Sequence, residues 1–253
     1  MARVVSRSSD SGDAMGEGAH ADPGDARSVL ETYLAKRHRA LEANAASAPE
    51  SGIRRWGRLV VPQRFRLGAR LATTAVVARG ARRRATKVAG ASNVRLHLGS
   101  GPVRKADWVN VDLVGDPVDL AWNILKPLPF DEGSVEAIFH EHVLEHLTSE
   151  DGYVLARESF RVLQPSGILR IGVPDCGAPH IAWPEAPTRL LALQEFFAEP
   201  GHRTMYDFET LALVLRAAGF QAVEQRAFGQ SRLEPAPDSE HRRVGTLYVE
   251  AVK

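Results

Sequence analysis

The stretch Ser134-Val135-Glu136-Ala137-Ile138-Phe139-His140-Glu141-His142-Val143-Leu144-Glu145-His146-Leu147 decides the fold, together with Arg161-Val162-Leu163-Gln164-Pro165-Ser166-Gly167-Ile168-Leu169-Arg170-Ile171. Val135–Phe139 is a short apolar run of the length a buried strand requires. Leu144, Leu147, Leu155, Phe160 and Leu163 then recur at helical spacing, which predicts a helix over 143–162. Pro165-Ser166-Gly167 turns the chain into a second apolar run, Ile168–Val173, closed by Pro174.

The pattern extends both ways. Upstream, strands are expected at Val94–Leu98, Val109–Leu113 and Val118–Trp122. Downstream, Phe208–Ala218 reads as a helix stopped by Gly219, and Ala222–Phe228 and Thr246–Val252 read as the last two strands. Alternating strands and helices imply a Rossmann-like, doubly wound α/β sheet of seven mostly parallel strands. The last two strands have no helix between them, so an antiparallel closing strand is expected.

Ligands in such a sheet bind beyond the carboxyl ends of the strands. The first strand ends in Gly99-Ser100-Gly101, where glycines allow close backbone approach to a ligand. The second ends in Asp112, an acid placed to accept hydrogen bonds from both hydroxyls of a ribose.

Taken with Leu128-Pro129-Phe130, the Val143-Leu144-Glu145-His146 helix start and the Arg161-Val162-Leu163-Gln164-Pro165-Ser166-Gly167 turn, these features make the chain from Val94 to Lys253 resemble the class I S-adenosylmethionine-dependent methyltransferases of the type 11-like group. The resemblance implies S-adenosylmethionine as cofactor, with Gly99, Ser100 and Gly101 at its amino-acid part and Asp112 at its ribose. It also implies Asn123 and Ile124 beside the adenine and His140 over the cofactor. Asn123 stands where the family usually has an acid, and its carbonyl can still accept from an adenine amino group. Methyl transfer is an in-line displacement in which the protein chiefly aligns the acceptor. An alcohol acceptor also needs a base. The candidates are His140, His142 and Asp175, which follow the fourth and fifth strands, and behind them Glu141, His146 and His202. The acceptor class expected is a small molecule, a natural product or a glycan.

Other readings compete for the same residues. His142-Val143-Leu144-Glu145-His146 has the spacing of an inverted zinc-protease pattern, but no third ligand is obvious, the methyltransferase resemblance explains the same residues as a helix start after the fourth strand, and no metal is expected. A nicotinamide-dependent oxidoreductase would want a third glycine, whereas Pro102 and a polar stretch follow Gly101. The last alternative is a non-catalytic protein that binds surfaces through its basic segment.

The net charge of +1 hides that segment. Residues 51–106 hold 14 basic side chains and no acidic one, whereas residues 107–253 hold 12 basic and 23 acidic. Residues 1–26, rich in Ser, Gly, Asp and Ala, are expected to be disordered. Residues 27–90 are expected to form a basic, partly helical extension, and 91–253 the methyltransferase domain. A helix is expected from Ser28 to Ala46 and an amphipathic one after Pro62, weakened by Gly68 and Gly80 and ended by Arg82-Arg83-Arg84. Every expected cofactor residue lies beyond residue 90, so a chain starting near Ala91 is expected to fold and bind cofactor. Weak, salt-dependent contact with anionic membrane surfaces through residues 53–87 is expected, and no nucleic-acid partner. One cysteine, Cys176, and the lack of an apolar leader point to a cytoplasmic protein.

Overall fold

A computed structural model of the chain describes residues 28–36, 39, 63–89, 94–114, 118–199 and 201–253. By contacts the chain divides into two compact units, Met1–Ala45 and Ala46–Lys253. In the first, residues 28–36 are helical, with Tyr33 buried and Val29, Leu30 and Leu34 exposed. The disorder expected for residues 1–26 lies outside the described residues.

The second unit is built on one sheet: β1 (Val94–Leu98), β2 (Val109–Asp112), β3 (Leu120–Ala121), β4 (Val135–Glu141), β5 (Leu163–Pro174), β6 (Ala222–Arg226) and β7 (Thr246–Val252). Their order is β3-β2-β1-β4-β5-β7-β6. Strands β1 to β5 run parallel, and β7 runs antiparallel to both neighbours, as the sequence predicts. The chain winds outward from β1 to β3, then crosses to β4 on the other side. The reversal between β1 and β4 is the switch point where such sheets open a crevice. The central strands are apolar on both faces: Leu96, Leu98, Val135, Ala137, Ile138 and Phe139 are fully buried.

The longer helices of this unit are α1 (Gln63–Ala89), α2 (Ser149–Val162), α3 (Arg189–Ala198) and α4 (Phe208–Ala218). Thr148 caps α2 by accepting from the Asp151 amide at 3.1 Å, and Asp207 caps α4 by accepting from the Thr210 amide at 2.8 Å. Gly219, at φ 118°, ends α4 in the left-handed conformation, and a side chain there would meet the Phe160 ring at 3.0 Å.

The structure differs from the sequence expectation in three places. The helix expected from Val143 begins at Ser149; before it, His142 sits at φ 54° and Leu144–His146 forms one tight turn. The left-handed residue breaks the path from strand to helix, and the Thr148 cap restarts it. Among the described residues, no helix joins β1 to β2 or β2 to β3. Helix α1, from upstream of the sheet, instead packs on the β3 end, with Ala85 in the core and Thr74 buried. Finally, α1 runs past Arg82-Arg83-Arg84 to Ala89, and the weakening glycines Gly68 and Gly80 lie within it facing open space.

Beyond β6 the chain is tied to the sheet by Arg170, which is wholly buried on β5. Its guanidinium forms a fork with Asp238 at 3.0 and 2.6 Å and donates to the carbonyls of Ala227 and Gln230. It also lies 4.8 Å from the centre of the Tyr248 ring.

Candidate active site

A cavity of about 440 Å³ lies at the carboxyl ends of β1, β2 and β4. Gly99, Asp112, Trp122, Asn123, Ile124 and Leu125 form one wall. His142, Val143, His146, Leu147, Asp151 and Arg203 form the opposite one. Leu67, Arg70 and Leu71 of α1, with Leu113, complete it.

The glycine loop is held tightly. Gly99 and Gly101 have φ of 64° and 52°, which favours glycine. A Cβ on Gly99 would lie 2.5 Å from Val143 Cγ2. The amides of Gly99 and Ser100 donate to the Val111 carbonyl at 2.8 and 3.2 Å. One oxygen of Asp112 accepts from the Gly101 amide at 2.7 Å and the other from the Leu113 amide at 2.5 Å. Arg70 Nη2 stands 3.6 Å from Asp112 Oδ1 and donates to the Leu113 carbonyl at 3.3 Å; its Nε donates to the Val114 carbonyl at 3.0 Å. The Val114 amide in turn donates to Thr74 Oγ1 at 2.9 Å. Helix α1 is thereby fastened to the loop that carries the key acid. Asn123 Oδ1 accepts from the Leu125 amide at 3.0 Å, so one lone pair of the oxygen expected to meet adenine is already used.

Of the residues expected to bind cofactor, Gly99, Asp112, Asn123 and Ile124 line this cavity, while Ser100 and Gly101 are not in its lining. His140 does not reach it. It is 1 % exposed, its Nδ1 lacks a partner, and burial pushes its pKa down to about 4. Asp175 lies outside the cavity lining, where its carboxylate accepts from the amides of Gly177 and Ala178 at 3.0 and 3.2 Å and closes a turn. Glu141 accepts from the Tyr248 hydroxyl at 2.7 Å and the Ser239 amide at 3.2 Å.

His142 does line the cavity. Its Nε2 is 3.0 Å from Thr246 Oγ1 and its Nδ1 is 3.2 Å from Glu145 Oε1. Glu145 is wholly buried, and neither of its carboxylate oxygens has a hydrogen bond, the His142 approach being out of line for one. The His146 and His202 rings stand beside it with centres 4.9 Å apart. His202 Nδ1 is 2.7 Å from the Phe196 carbonyl, and burial lowers the pKa of this ring. The Tyr206 hydroxyl is buried without a partner; burial, then the Glu145 charge, raises its pKa.

Leu67, Arg70, Leu71, Trp122 and Arg203 were not foreseen as site residues from the sequence. Each reaches the cavity through tertiary packing and carries no spacing pattern of its own.

Residues 96–171 match a family model described as a methyltransferase domain. No protein of curated function matches the chain. Among solved structures, a SAM-dependent methyltransferase from Archaeoglobus fulgidus is 16% identical, with 73% of this chain and 94% of that chain covered and a TM-score of 0.47. One from Mesorhizobium loti is 18% identical, covering 63% and 90%, with a TM-score of 0.43. A Haemonchus contortus phosphoethanolamine N-methyltransferase in complex with S-adenosyl-L-methionine is 13% identical, covering 68% and 52%, at 0.45. Likenesses this distant carry no functional argument; the matched segment and the cavity do. That segment contains Gly99, Asp112, Asn123, His142 and Glu145.

Proposed function

We propose that the chain is a class I S-adenosylmethionine-dependent methyltransferase, in keeping with the methyltransferase-domain match over residues 96–171, and that the cavity holds the cofactor along Gly99, Asp112 and Ile124 and admits the acceptor beside His142. The observation that carries the reading is Asp112: a carboxylate at the end of β2, fixed by the Gly101 amide and facing a cavity with apolar walls. The fit is chemical. Ribose hydroxyls are donors and Asp112 is acceptor-only. Trp122, Ile124, Leu125 and Leu71 offer apolar surface for a planar base. A volume of about 440 Å³ lies in the range of cofactor sites. Arg70 marks the contact with Asp112 that the hydroxyls would share or displace.

When bound, the sulfonium supplies an activated methyl and a good leaving group. The protein's part is to align the acceptor and manage its proton. His142 is the base we assign, because its ring lines the cavity at the end of β4. His140 and Asp175 drop out of that role, since neither meets the cavity. The acceptor we favour is a hydroxyl-bearing small molecule or glycan, because His142, His146, Asp151 and Arg203 make that end polar.

We place the protein in the cytoplasm. The lone Cys176 is buried, and burial raises its thiol to about 11, which suits a reduced, inert side chain. No described helix is long and apolar enough to cross a membrane. Contact with anionic surfaces is a minor part of this reading, because Leu67 and Leu71 of α1 line the cavity.

Asp112→Ala tests the assignment. Loss of the charged acceptor should weaken S-adenosylmethionine binding by about 2–3 kcal/mol, roughly 30- to 150-fold, measured by equilibrium dialysis. Unchanged affinity would remove Asp112 from the site.

A further inference from the structure

We propose that Glu145, His146 and His202 form a binding site for a divalent zinc-class metal ion at the acceptor end of the cavity. One carboxylate oxygen and one nitrogen from each ring all lie within 4.8 Å of one another. The fold brings His202, 56 positions beyond His146, beside Glu145 and His146, since the amides of Arg203 and Thr204 donate to the Glu145 carbonyl at 2.7 and 3.2 Å.

Two observations independent of the clustering point to a cation. Glu145 is 0% exposed, yet neither oxygen accepts a hydrogen bond: His142 Nδ1 comes within 3.2 Å of Oε1 but out of line for one, and Oε2 has no approach of that kind. A buried carboxylate is expected to be paired or to bind a metal. His202 is also arranged as ligating histidines are. Its Nδ1 faces the Phe196 carbonyl at 2.7 Å, which fixes the proton there and leaves the Nε2 lone pair free. The other charged group at that nitrogen, Glu199 Oε2, is 3.7 Å away on an exposed side chain, too far for a hydrogen bond. His146 is exposed and lines the cavity, which provides an entry path and directs an open coordination position toward it.

Two imidazoles and one carboxylate with an open position form a donor set typical of catalytic zinc. An ion there would bind an acceptor oxygen and lower its pKa, assisting proton removal by His142. That role rests on the methyltransferase reading; the metal site does not.

The test is to strip the full chain with a chelator, titrate it with zinc in a calorimeter, and assay retained zinc after gel filtration. One zinc per chain is expected. His146→Ala and His202→Ala should each weaken zinc binding more than tenfold, and in His202→Ala, outside the cavity lining, S-adenosylmethionine affinity should stay within twofold. His146 is exposed, so its variant separates lost ligation from lost folding. Absence of stoichiometric zinc, or wild-type zinc affinity in both variants, would overturn the site and leave the cofactor assignment standing. Zinc binding without S-adenosylmethionine binding would keep the site and remove the methyltransferase role.

Discussion

Gly99 shows how far one residue constrains the site. Its positive φ, and the 2.5 Å that would separate an added Cβ from Val143 Cγ2, leave room for glycine alone. Gly99→Ala should destabilise the chain by about 1–3 kcal/mol, read by chemical denaturation, and should also weaken cofactor binding. Unchanged stability would mean that the loop relaxes freely. The places of Gly99 and Asp112 in the cavity lining are legible in the sequence because both stand at strand ends. Arg70 was not, because its pairing with Asp112 spans 42 positions and exists only once α1 is packed. Asn123 was half legible: its place was foreseen, its hydrogen bond to the Leu125 amide was not.

Strands β1 and β4 each bury a histidine, His97 and His140, and burial lowers both to about 4 from an ordinary 6.5. Between those values the unfolded chain binds more protons than the folded one. The stability is therefore fully present above pH 6.5 and is lost as the pH falls toward 4. The loss across that window should be on the order of a few kcal/mol, and Tm should drop steadily from pH 7 to pH 5, above the range where most carboxylates titrate. A flat Tm over that interval would contradict neutral burial of the pair. The strands themselves were readable from apolar runs. The start of α2 was not, because apolar spacing continues through Val143 and Leu144 while the left-handed His142 and the Thr148 cap set the true boundary. Gly68 and Gly80 misled in the other direction: in α1 they weaken local propensity, but Thr74 and Ala85 anchor the helix by packing.

At the scale of the molecule, the basic extension and the acidic domain are not separable as their compositions suggest. Helix α1 belongs to the compact unit Ala46–Lys253, supplies Leu67, Arg70 and Leu71 to the cavity, and covers the β3 end in place of a crossover helix. A chain starting at Ala91 should accordingly show a lower Tm by thermal denaturation and lose S-adenosylmethionine binding, where the sequence alone suggests that binding is kept. Retention of full affinity would make α1 dispensable to the site. Composition could not reveal this, because a run of arginines looks the same whether it is solvated or packed over a crevice.

The most direct measurement of the central claim is a calorimetric titration of the full chain with S-adenosylmethionine, followed by competition with its demethylated product. The account predicts saturable binding at one site per chain, displaced by the product and absent for NAD. Binding of NAD with none of S-adenosylmethionine would contradict it.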